Sequence, residues 1–352
     1  MMNESKTNDR VVYFDYLRVF ATISVIVLHI VAKHWYDSEI SGYEWNILSI
    51  INGMTRWGVP IFLMISGALF LNRNIPTKTL FKKYILRMVL AFFAWSILYG
   101  FYEMIYDYYR SPLYIIRGYY HMWFILMIIG IYMCMPIIKP IVKSDSLIKY
   151  YLILSSIFGI LLPWILTLIG EYGSGMTLEF NNEVKTSLNN IDVKVVTGYM
   201  FYFVLGFYVS KKEFTRKQRY IIYVLGIAGY LLTMLLEFTT TAKMPEHCGL
   251  YYGAFNPNVF FETIAVFVWF KHCRFNKSKL NNIVKKLSKY SFGAYLVHAL
   301  IIEILQRSCG FDTRFFNEPL IGIPINTVVV FVLSFLISAL LNRIPVINKY
   351  FV

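Results

Sequence analysis

Long apolar stretches, each ended by a short charged or polar gap, recur from residue 11 to residue 343. A helix needs about 20 consecutive apolar residues to cross the hydrocarbon core of a bilayer. Ten stretches come near that length, around 12–33, 45–72, 80–102, 120–140, 147–170, 191–210, 219–237, 251–270, 289–306 and 321–342. The pattern predicts an all-α integral membrane protein of about ten transmembrane helices, with 1–352 as a single polytopic membrane domain. The longest polar gap, 171–194, leaves no room for a soluble domain of useful size. The first stretch exceeds the roughly 7–15 residues of a signal-peptide core and meets Lys33, His34 and Trp35 with no small-residue cleavage site. It is therefore expected to stay as the first helix.

Composition agrees: 57% of the residues are hydrophobic and 15% charged, the balance of a polytopic membrane protein. The formal charge of +14 invites a nucleic-acid reading, which its distribution removes. Twenty-four of the 34 Lys and Arg residues lie at the two ends and in the even-numbered loops, and eight lie in the odd ones. By the positive-inside rule the first group faces the cytoplasm, so both termini are expected inside and the number of spans even. The expected location is the cytoplasmic membrane, with lipids rather than nucleic acid against the basic face. The four cysteines show no metal spacing and no metal is expected; Cys248 and Cys309, both in predicted outer loops, suit either a bridge or free thiols.

Within the spans a charge costs at least a few kcal/mol, so each one calls for a partner or a task. Few stand out there once the loops are sorted: Arg18 and His29 in the first span, Arg56 in the second, Glu262 in the eighth and His298 in the ninth, with Glu303 further out. Arg18 and His29 are eleven residues apart, three helical turns to within about 20°, so they share one face and stand about 16 Å apart along the axis. Arg18 falls in the cytoplasmic part of the first span, His29 in the outer part. Asp15, one turn before Arg18, is placed to pair with it. Arg18 suits either lipid phosphates or a phosphate-bearing ligand; His29 suits either an interface or general-base work, because its pKa lies near working pH.

Other residues extend this pattern. Arg56 enters the second span from outside and suits an acceptor's charge or an oxyanion. Pro60 is placed to kink that span, and Gly53, Gly58, Ser66, Gly67 and Ala68 give it narrow faces for close packing. Lys82, Lys83 and Arg87 cluster at the cytoplasmic side, as topology signal or as a site for donor phosphates. At the start of the fourth span Tyr119, Tyr120 and Trp123 form an outer aromatic belt, or else His121 and Trp123 line a sugar-binding mouth. Glu262 is a structural partner for Arg56, or else orients His29 or binds acceptor hydroxyls. His298 lies mid-helix in the ninth span, in a supporting position.

FDYLRVFATISVIVLH, with Arg18 and His29 separated by ten residues, resembles the signature of the acyltransferase-3 family of integral-membrane acyltransferases. VPIFLMISGALFL at 59–71, LFKKYILR at 80–87, YHMWFILMIIGIYMCMPII at 120–138, YFVLGFYVS at 202–210 and LSKYSFGAYLVHALI at 287–301 are similar to its later blocks in order. In style the chain is similar to a Gram-positive branch that includes the membrane part of vancomycin-resistance serine racemases, without implying racemisation. The resemblance implies transfer of an acyl group, usually acetyl, from cytoplasmic acetyl-CoA as co-substrate to a hydroxyl of an envelope glycan, glycolipid or related extracytoplasmic acceptor. Arg18, Lys82, Lys83 and Arg87 would then face the CoA phosphates, with His29 as catalytic base. The alternative class, a secondary transporter of a small polar or anionic solute, expects matching Gly- or Pro-broken helices in two halves. The first span has neither residue between Val11 and Val31, while the sixth has Gly198 and Gly206.

Overall fold

The computed structural model describes residues 10–106, 114–190, 197–244 and 246–352, and among these the regular secondary structure is helical throughout. The first helix, α1 (Val12–Trp35), is the centre of the molecule. Two-thirds of its apolar window, 67%, is buried, against 17% of the window in 145–172 at the periphery. The second span is two helices, α2 (Tyr43–Gly53) and α3 (Gly58–Phe70). A π-helical turn, Leu80–Ile85, leads into α4 (Leu86–Tyr106), and α5 (Trp123–Ile138) follows. Next come α6 (Asp145–Ser156) and α7 (Leu162–Tyr172), joined by the π-helical turn Ile157–Leu161, then α8 (Met176–Asn190) and α9 (Met200–Lys211). The chain continues with α10 (Arg216–Thr241), α11 (Pro257–His272), α12 (Ser278–Cys309), α13 (Pro319–Leu341) and the short α14 (Pro345–Tyr350).

All ten predicted stretches contain helix, but six helices are long and apolar enough to cross a membrane among the described residues: 12–35, 43–70, 77–106, 145–172, 216–241 and 319–341. Three of the other four fall short. Helix α9 has 12 residues, about 18 Å against a hydrocarbon core of about 30 Å, and the first part of its predicted run, 191–196, lies outside the described residues. The apolar helices α5 and α11 have 16 residues each. Helix α12 departs the other way. Its 32 residues begin at Ser278, and its first turns carry Lys279, Lys285, Lys286 and Lys289 ahead of the apolar half. The polar gap at 171–194 holds a helix, α8, which the absence of an apolar run concealed.

Local chemistry sets several ends. Thr215 and Gln218 form a reciprocal capping box at the start of α10, satisfying two of the donors that a helix N-terminus leaves free. Pro257 and Pro319 open α11 and α13, where a missing N–H costs nothing. Pro60 likewise sits in the first turn of α3, so it does not kink the span. The interruption comes earlier, at Met54–Trp57, where Thr55, Arg56 and Gly58 donate backbone bonds three residues back. The Ser24 hydroxyl of α1 donates to the Thr55 carbonyl at 2.7 Å and ties this turn to the central helix.

Around α1 pack α2, α3, α11, α12 and α13. Close approach of α3 to α9 depends on glycine at two facing positions. A Cβ on Gly67 would strike the Phe203 carbonyl oxygen, and one on Gly206 would strike the Met64 backbone. Because the obstacle is backbone, neither helix can yield by turning a side chain. Overpacking of this kind costs about 1–3 kcal/mol, so Gly67→Ala is expected to lower the thermal unfolding midpoint of the detergent-purified protein by several degrees; an unchanged midpoint would contradict this packing.

Candidate active site

Helices α1 and α12 lie side by side and touch through a series of polar pairs. Arg18 Nη1 donates to Ser288 Oγ at 2.9 Å, His29 Nδ1 meets His298 Nε2 at 2.7 Å, and Lys33 Nζ donates to Glu303 Oε1 at 2.7 Å. The offset between partners stays at 270, 269 and 270 residues, so the two helices run parallel. That is the direction the first and ninth spans of the predicted topology require.

The histidine pair has a defined polarity. His298 Nδ1 lies 2.6 Å from the Tyr295 carbonyl oxygen, which can only accept, so that nitrogen carries the proton. In the neutral ring Nε2 is then an acceptor, and the 2.7 Å bond requires His29 Nδ1 to donate. His29 Nε2 is left with a free lone pair. Fixing one imidazole nitrogen by a hydrogen bond at the other is the usual way a protein orients a basic histidine. The two rings lie nearly parallel, 16° apart with centroids at 5.0 Å, and His298 is fully buried.

A third imidazole closes this cluster. The His121 centroid is 5.1 Å from that of His298 and 6.2 Å from that of His29, and His121 is buried at 1% exposure. It therefore lies behind the pair rather than in a sugar-binding mouth. Tyr295 donates its hydroxyl to the His121 carbonyl, and the Tyr120 ring stands edge-on to His29 at 5.2 Å. Although three imidazoles meet, no three His, Cys, Asp or Glu side chains among the described residues are arranged to hold a metal ion.

On the side of Arg18 a cavity of about 280 Å³ opens between α1, α3, α4, α5 and α12. Its polar wall is Arg18, Arg87, Lys289, Ser66, Ser288 and Ser291; the rest is apolar and aromatic, and it reaches Tyr295, one turn before His298. Three cations at one end and an apolar channel at the other match an elongated ligand with anionic groups and an uncharged arm. Arg87 also donates to the Val352 carbonyl.

Sequence-predicted residues divide on this geometry. Arg18, Ser66 and Arg87 come together in the cavity wall, while Lys82 and Lys83 are exposed and outside it. Those two project from the π-helical turn, four and five residues before Arg87. Asp15 is held chiefly by Arg10, at 2.6 and 2.7 Å, and stands 4.0 Å from Arg18. Arg56 donates to Asn52 Oδ1 at 2.5 Å and lies within electrostatic reach of His29. Glu262 forms no ion pair with Arg56 among the described residues; it accepts from Thr233 at 3.3 Å. The orienting partner of His29 is therefore His298. Trp123 is 42% exposed and packs beside Tyr199, away from the imidazoles. Cys248 and Cys309 are free thiols.

Glu103 and Arg307, just past the predicted ends of their spans, complete the outer end together with Glu303. Glu103 and Glu303, buried at 1% and 3% exposure, share Arg307 at 3.2 and 2.8 Å, and Tyr119 donates to Glu103 at 3.1 Å. With Lys33 they form a network of alternating charges just beyond the imidazoles, tying α4 to α12. Lys289, at the start of the predicted ninth span, joins the cavity wall as well.

Fold and site define a multi-pass membrane protein with a hydrogen-bonded imidazole pair, one ring fully buried, near a cation-lined cavity. The model of the acyltransferase-3 family, described as an acyltransferase domain, matches residues 11–343. The chain belongs to this family and is a membrane acyltransferase. No curated protein and no solved structure matches it.

The proton arrangement can be read directly. In ¹⁵N spectra of the histidine-labelled protein at neutral pH, His29 is expected to carry its proton on Nδ1 and leave Nε2 bare, with assignment by the His29→Gln variant. A proton on His29 Nε2 would refute the polarity derived above.

Proposed function

We propose that the protein transfers an acetyl group from cytoplasmic acetyl-CoA to a hydroxyl of an envelope glycan or glycolipid, with His29 as general base. The observation that supports this reading is the oriented His29–His298 pair one turn along α12 from Tyr295, which lines the cavity together with Arg18, Arg87 and Lys289. The cations neutralise the CoA phosphates, as guanidinium and ammonium groups do at short range. The pantetheine arm lies along the apolar wall and brings the thioester toward His29. The charge distribution supports a cytoplasmic mouth for the cavity and residence in the cytoplasmic membrane.

In the reaction His29 Nε2 takes the proton of the acceptor hydroxyl as its oxygen attacks the thioester carbon. The tetrahedral intermediate collapses with cleavage of the carbon–sulfur bond, and the CoA thiolate takes that proton from His29 Nε2. An ester and free CoA result, with no net proton change. His298 holds the ring and its Nδ1 proton in place throughout, as the carboxylate does in other acid–base pairs. Membership of an acyltransferase family supports this reading over the transporter alternative.

General-base catalysis contributes about 10²–10⁴-fold. His29→Ala is therefore expected to lower acetyl transfer from radiolabelled acetyl-CoA by that range while acetyl-CoA still binds. Transfer at the wild-type rate in a folded His29→Ala protein would sink the role.

The donor side makes a separate forecast: Arg18→Ala weakens acetyl-CoA binding in equilibrium dialysis by about tenfold, the loss of one charge-assisted hydrogen bond. Unchanged affinity would leave Arg18 as a purely structural tie to Ser288.

A further inference from the structure

The second span is broken at the level of the reacting groups, and the residue placed in the break is an arginine. Non-helical backbone at membrane depth is tolerated where it is buried in protein or lines a cavity. The turn Met54–Trp57 meets that condition through Ser24, which satisfies the Thr55 carbonyl, and Gly58, whose missing side chain leaves room for Ser24. Nothing in this packing calls for a cation.

The Arg56 side chain is under-used. Of its five N–H donors one is directed at Asn52 Oδ1, and Nε is buried with no partner. Its guanidinium lies over the face of Tyr252, 4.4 Å from the ring centroid, and the Tyr252 hydroxyl is turned away to the Ser49 carbonyl at 3.0 Å. Two carboxylates, Glu237 and Glu262, are within electrostatic reach, but neither forms an ion pair with it among the described residues. Glu237 accepts from the Gly249 and Tyr251 amides at 2.8 and 3.4 Å and from Thr241 at 3.3 Å; Glu262 accepts from Thr233. A guanidinium inside a membrane protein with spare donors and a buried, unpartnered Nε can pair with an anionic ligand group.

Direction settles which reactant would bring that anion. The donor cavity lies on the Arg18 side of His29, and Arg56 is absent from its wall. The electrostatic neighbours of Arg56 include Tyr252 and Tyr36, and Tyr36 lies just past the end of α1, two turns beyond His29. Arg56 therefore faces the side from which an extracytoplasmic acceptor approaches.

We infer that Arg56, with Asn52 and the Tyr252 face, is an anion site that selects the acceptor: the hydroxyl acetylated at His29 belongs to a glycan unit bearing a carboxylate or phosphodiester. This rests on the acetyl-transfer reading above and narrows its acceptor to acidic envelope glycans. Bidentate pairing with the guanidinium would fix the sugar's orientation as well as its charge.

The test uses membranes from cells that carry the gene and from cells that lack it, with the cytoplasmic face exposed to [¹⁴C]acetyl-CoA. Released glycans are separated on an anion exchanger. The expected result is gene-dependent label in the retained, acidic fraction, reduced at least tenfold by Arg56→Gln and partly restored by Arg56→Lys. Loss of retention after carbodiimide amidation assigns the anion as carboxylate, and loss after cold aqueous hydrofluoric acid assigns it as phosphodiester. Gene-dependent label in the neutral fraction overturns the inference, and that result needs no variant to fold. Arg56→Gln labelling at the wild-type rate overturns it too. No gene-dependent label in any glycan removes the acetyl-transfer reading itself, a distinct failure.

Discussion

The pairing of α1 with α12 is the contact on which the rest of the site depends. In a bilayer, burial of apolar side chains gives helices little reason to choose one register over another, and packing and interhelical hydrogen bonds decide it. Here Arg18–Ser288, His29–His298 and Lys33–Glu303 recur at a near-constant offset along two parallel helices. Slipping α12 by one residue would break all three at once. The same contacts that hold the helices together therefore fix the distance between the Arg18 guanidinium in the cavity wall and the His29 imidazole.

Around that pair the fold separates two approaches. The cavity lined by Arg18, Arg87 and Lys289 lies toward one end of α1, and the broken second span with Arg56 lies toward the other. Close glycine contacts between α3 and α9 hold α3 against the core so that its broken end stays beside α1. The network of buried Glu103 and Glu303 with part-exposed Arg307 and Lys33 lies about one turn beyond the imidazoles. Ion pairs of this kind contribute little net stability for their desolvation, and their value lies in holding α4 and α12 at one relative position.

Much of this was legible in the chain itself. Apolar runs marked every helix of the core, and the eleven-residue spacing of Arg18 and His29 placed them on one face before any contact was known. Periodicity cannot report partners in distant segments, so the 269-residue separation hid the His29–His298 bond. Depth along the helix separated Arg87, part-buried in the cavity wall, from the exposed Lys82 and Lys83 that composition groups with it. Arg10 took Asp15 from Arg18 because a flexible cation just before the helix reaches the carboxylate more closely than a cation on the next turn. The break at Met54–Trp57 carries no proline and follows a single glycine, so the visible signal at Pro60 pointed to the wrong place. Glu103 and Arg307 read as loop charges because hydropathy ends a span at its first charges, whereas α4 and α12 continue past them.

The central claim is that one path leads from the cation-lined cavity to the bare nitrogen of His29. The most direct measurement is a structure of the protein with a non-hydrolysable acetyl-CoA analogue. The account predicts the CoA phosphates against Arg18, Arg87 and Lys289, with the carbonyl of the thioester mimic beside His29 Nε2. Phosphates bound at Lys82 and Lys83 alone, or an acyl group ending away from His29, would contradict it.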